Sequence, residues 1–103
     1  MITAVVQFKL PKTVTKDEAK EIFLSTAPRY REVQGLVRKY YLLSLDGGTA
    51  GGVYLWKSRE DAERAYTDEW KKLVRERYGA EPSVQYFQSP VIVDNLVGEI
   101  LKD

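Results

Sequence analysis

Three tyrosines and a tryptophan fall within two short stretches, Arg38-Lys39-Tyr40-Tyr41-Leu42 and Gly52-Val53-Tyr54-Leu55-Trp56, in a chain that has neither cysteine nor histidine. Side chains of these types supply phenol and indole hydrogen-bond donors, flat apolar walls and a guanidinium. They suit the binding of a flat organic molecule. Thiol nucleophiles, iron–sulfur ligation and histidine-based triads have no residues to work with. The carboxylates are scattered without metal-ligand spacing, so no metal is expected.

Alternation along a strand sorts these side chains by face. Arg38, Tyr40 and Leu42 share one face and Lys39, Tyr41 and Leu43 the other, while Tyr54 and Trp56 lie opposite Val53 and Leu55. Trp56 immediately precedes a helix start, which directs it toward the helix layer. The expected pocket therefore holds Tyr54 and Trp56 between sheet and helices, with Arg38 and Tyr40 beside them, facing Tyr66, Trp70 and Tyr78. In it Tyr40 and Tyr54 donate hydrogen bonds to a developing oxyanion and Arg38 lowers the substrate pKa, although an arginine on a strand more often belongs to a surface or interface ion pair. Trp56, Tyr66, Trp70 and Tyr78 form the substrate-binding walls. Tyr41 is assigned to a subunit interface on the other face. A filled aromatic core is the competing reading. Against it, several buried phenol and indole groups need partners, which a ligand or water in a hollow supplies.

The remaining polar candidates have structural readings. Arg29 and Arg31 fit a solvated face at the end of the first helix. Gly47-Gly48 and Gly51-Gly52 lack the lysine and following helix of a phosphate loop, so they read as a hairpin turn and strand. Asp94-Asn95 fits a turn or a helix cap.

The elements that must hold these residues follow from periodicity. Ile2, Ala4, Val6 and Phe8 alternate as a strand does. Thr15-Lys16-Asp17-Glu18 is a capping-box pattern, followed by Ala19, Ile22, Phe23 and Thr26 at helical spacing and a stop or kink at Pro28. Leu36 to Leu45 and Gly52 to Trp56 read as a hairpin around Asp46-Gly47-Gly48. Ser58-Arg59-Glu60-Asp61 opens a helix carrying Ala62, Ala65, Tyr66, Trp70, Leu73, Val74 and Tyr78, with a point of interruption at Asp68 and Gly79 as C-cap. A last strand covers Ser83 through Phe87, and Pro90 separates it from Val91-Ile92-Val93. No structure is assigned from Asp94 to Asp103.

This order is α+β, the ferredoxin-like βαββαβ arrangement with a four-stranded antiparallel sheet. At 103 residues, 44% of them hydrophobic, the chain has room for one domain spanning 1–103. Two helices cover only one face of the sheet. Apolar pairs such as Val5 and Val6 or Leu42 and Leu43 put hydrophobic groups on the other, so a homodimer through the open face is expected. The formal charge of +1 gives no field for a nucleic-acid backbone or an anionic membrane. No stretch approaches the roughly 20 apolar residues of a membrane span, and Met1–Phe8 reads as a strand in place of a secretory leader. A cytoplasmic location is the expectation.

Several separated motifs resemble one family in the same order. These are the Arg38-to-Leu42 strand, the Gly52-to-Ser58 strand-to-helix junction, Glu69-Trp70, Arg75-Glu76-Arg77-Tyr78-Gly79-Ala80 and Val91-Ile92-Val93-Asp94-Asn95. Together they are similar to the YdhR-like monooxygenases of the dimeric alpha/beta-barrel superfamily. The resemblance implies a dimeric alpha/beta barrel and, from relatives that oxidise phenols and quinols, a cofactor-independent monooxygenase. Its partners would be a small electron-rich aromatic or enol and dioxygen, with no cofactor. Haem degradation, another chemistry of the superfamily, lacks its histidine ligand here. A non-oxygenase binding protein, isomerase or cyclase of the same fold is the alternative, and a dimeric interaction module with a filled core is a third reading.

Overall fold

The computed structural model describes all 103 residues. Strands β1 (Ile2–Lys9), β2 (Leu36–Leu43), β3 (Thr49–Trp56) and β4 (Ser83–Gln88) form one antiparallel sheet in the order β2-β3-β1-β4. Helices α1 (Lys16–Thr26), α2 (Arg59–Ala65) and α3 (Asp68–Tyr78), with a 3₁₀ turn over Ala27–Tyr30, lie on one face. This is the expected ferredoxin-like arrangement.

Local chemistry explains the boundaries. Thr15 accepts from the Glu18 amide at 3.1 Å and Glu18 accepts from the Thr15 amide at 2.9 Å, completing the capping box of α1. Pro28 diverts the next turn into the 3₁₀ segment. The helical segment after Ser58 is two helices, divided just ahead of Asp68, where an interruption is expected. Thr67 caps a fresh start by accepting from the Trp70 amide at 3.1 Å, and Tyr66 leaves the helical conformation just before it. Gly79 ends α3 at φ 76°, in the left-handed region.

The core is where β1 and β3 meet the helices. Ala4, Val6, Tyr54, Trp56, Ala62 and Tyr66 are buried there. Gly51 is required by this pairing, because a Cβ at that position would lie 1.8 Å from the Val6 carbonyl oxygen. The C-terminal tail, unassigned from sequence, forms a second hairpin: β5 (Val91–Asp94) pairs antiparallel with β6 (Glu99–Lys102). Val91, Val93, Leu96, Val97 and Ile100 are exposed along it, and Val37, Tyr40 and Phe87 are exposed in the main sheet.

Candidate active site

One residue in β2 decides which side chains meet. Leu36 pairs with Trp56, but Arg38 pairs with Leu55 and Lys39 with Tyr54, so the ladder carries an extra residue at Val37. Directly opposed residues share a face. Without the bulge, Arg38 would stand opposite Tyr54. With it, Lys39 and Tyr41 face the helices, and Arg38 and Tyr40 face away.

This corrects three placements. Arg38 is on the uncovered face, where Nη2 pairs with Asp94 Oδ2 at 2.8 Å and Nη1 donates to the Tyr40 hydroxyl at 3.3 Å. Tyr40 is 54% exposed there. Tyr41, assigned from sequence to the interface, lies beneath the helices, stacked on Phe23 with ring centroids 4.8 Å apart. Asp94 Oδ1 also accepts from the Leu96 amide, so this acid holds a turn as expected, and its bonds to Arg38 hold its carboxyl below the usual range.

The expected walls divide into two groups. Trp56 is fully buried, and its indole N–H donates to the Tyr66 hydroxyl at 3.0 Å. This pair satisfies itself and belongs to the packed core, away from the cavity. Tyr54, Trp70 and Tyr78 do line a cavity of about 410 Å³, open at one side, together with Phe8, Phe23, Thr26, Tyr30, Lys39 and Tyr41. That volume falls in the range of about 300–1,000 Å³ common for small-molecule sites. Packed core and hollow thus lie side by side.

Lys39 lines the hollow with its amine among aromatic rings. Its Nζ lies 3.5 Å from the Tyr30 ring centroid, 3.8 Å from that of Tyr41 and 4.6 Å from that of Tyr54. No carboxylate pairs with it. The ring faces favour the ammonium, whereas burial disfavours it. Burial lowers the Lys39 pKa to about 7.

The phenols shift the other way. Burial raises Tyr54 and Tyr66 far above the ordinary tyrosine value, and Tyr41 is raised by the same cause. These tyrosines therefore remain protonated near neutral pH. Tyr41 and Thr26 share a 2.7 Å hydrogen bond, and since Thr26 Oγ1 donates to the Phe23 carbonyl, the Tyr41 hydroxyl is the donor to Thr26. Arg29 and Arg77 reach the exposed rim with Glu76, and neither arginine is ion-paired.

Lys39, Tyr30, Phe23 and the rim arginines are absent from the sequence-based site. The alternation of Lys39 with Tyr41 signals that they share a face, but only the bulge tells which face that is.

Residues 4–89 match the family described as "Putative mono-oxygenase ydhR". The chain belongs to this family. Among curated proteins no match is found. Solved structures of the same fold include the ActVA-Orf6 monooxygenase of Streptomyces coelicolor bound to nanaomycin D, 21% identical with a TM-score of 0.63 over 85% of this chain and 86% of that one. SnoaB, a cofactor-independent oxygenase from Streptomyces nogalater, is 17% identical with a TM-score of 0.61 over 85% of this chain and 91% of that one. A protein from Deinococcus radiodurans described as a "putative antibiotic biosynthesis monooxygenase" is 7% identical with a TM-score of 0.65 over 91% of this chain and 97% of that one. No helix of the chain is long and apolar enough to cross a membrane.

Proposed function

We propose that this protein is a cofactor-independent monooxygenase for a small phenol, quinol or enol, with Lys39 as its general base. The observation that carries this reading is an amine with a pKa of about 7 inside an aromatic cavity. A base poised near the working pH combines availability with proton-accepting strength. Neutral Lys39 takes the substrate's hydroxyl proton, and the resulting anion is the reductant for dioxygen. For a phenol with a free para C–H, one oxygen atom ends in the new quinone carbonyl and the other in water. All four electrons come from the substrate, so the overall change balances without another reductant.

The surrounding groups have matching roles. Lys39, once protonated, and the Tyr54 hydroxyl stabilise the oxyanion, while Trp70, Tyr78 and Phe8 hold the ring plane. Arg29 and Arg77 give the mouth positive charge that favours an anionic substrate. Arg38, paired with Asp94 on the opposite face, takes no part in stabilising the anion. A homodimer through the uncovered sheet face completes the proposal, supported by the exposed apolar side chains there.

The test is oxygen consumption with a panel of naphthols, hydroquinones and anthrones, with product analysis. Product appearing at the same rate under strict anaerobiosis would overturn the oxygenase and favour an isomerase or cyclase. With a substrate in hand, the rate should rise with pH through about 7 as Lys39 loses its proton.

A further inference from the structure

We infer that Lys39 is also a covalent capture site for aldehydes and ketones, forming a reversible imine within the cavity. A lysine becomes a nucleophile when it has no carboxylate partner, when burial keeps much of it neutral, and when a space beside it admits the electrophile. Lys39 meets all three conditions. No acid pairs with it, three tyrosine rings enclose its Nζ, and it lines a hollow of about 410 Å³. The other lysines do not line this hollow.

The step is condensation. The Nζ lone pair attacks the carbonyl carbon, a C–N bond forms, and the carbonyl oxygen departs with both amine hydrogens as water. No oxidant or reductant takes part. Flat aryl aldehydes and ketones are the class that fits, because Tyr54, Trp70 and Tyr78 offer ring faces around the cavity. Gly52 leaves room for the Lys39 stem, since a Cβ there would lie 3.3 Å from the Lys39 Cε and 3.0 Å from the Tyr54 ring.

This inference rests on the same neutral amine as the proposed function, but its test needs neither oxygen nor turnover. The full chain is incubated anaerobically at pH 7 with benzaldehyde and cyanoborohydride, and the reduced adduct is located by peptide mass mapping. At that pH an ordinary lysine is neutral in only about four molecules in ten thousand. Lys39 should therefore label at least about tenfold faster than any other lysine, and 2-naphthol filling the cavity should slow it. Lys39→Arg should lose this adduct while circular dichroism shows the fold retained. Labelling of Lys39 no faster than the exposed lysines, or none at all, would overturn the inference. Lysine-dependent oxygen uptake without trapping would leave the oxygenase standing and sink only the imine, and trapping without oxygen uptake would do the reverse.

Discussion

At the residue scale, the proposed chemistry turns on a lysine that burial has made a weak cation. Lys39→Met should reduce oxygen uptake by about 10²–10⁴-fold, the span of a lost general base, and abolish the rise in rate through pH 7. Stability should move oppositely. Because the folded pKa is depressed to about 7 while the unfolded chain keeps an ordinary lysine value, the unfolded state binds more protons between about pH 7 and 10. The Lys39 contribution therefore makes the wild type more stable as pH rises through that window, and Lys39→Met should unfold at higher urea than wild type at pH 7. Urea titrations at pH 7 and 9 check both signs. Tyr66→Phe separates core from cavity: it removes the acceptor of the buried Trp56 indole, and should cost about 1–3 kcal/mol in urea unfolding while KM stays unchanged.

At the element scale, local signals announced most of the fold. The Thr15–Glu18 capping box, the Asp46-Gly47-Gly48 turn and the helix start at Ser58 are decided by neighbours within a few residues, so the chain displays them openly. Two features depend on partners distant in sequence. The Val37 bulge exists only in the pairing with β3, and it moved Arg38 and Tyr40 out of the site and Lys39 and Tyr41 into it. The sequence marks the division of the second helical segment at Asp68, one residue after the Thr67 cap that makes it, because the apolar stripe runs through the break. Tyr54, Trp70 and Tyr78 were found because two of them sit on helical stripes and the third on a regular stretch of β3. Thr67→Ala should cost about 1 kcal/mol of thermal or urea stability by loosening the start of α3 and with it Trp70.

At the scale of the whole molecule, the sheet has one side devoted to the hollow and another whose apolar groups await cover. Arg38 and Asp94 tie the C-terminal hairpin to that second side. Arg38→Ala should leave the reactivity of Lys39 unchanged and weaken the proposed dimer, read as a shift toward monomer in sedimentation at micromolar concentration. An unchanged dimer would place the interface elsewhere. The extra residue at Val37 has a wider consequence. Were Val37 paired in a regular ladder, the two sets of β2 side chains would exchange faces, sending a guanidinium and Tyr40 inward and turning the amine out to the opposite surface. Deleting Val37, by contrast, would heal the ladder and leave both sets in place. The interior chemistry of this protein is thus written in the parity of one strand, and a one-residue slip of its pairing, too small to alter the architecture, would replace one reactivity with another.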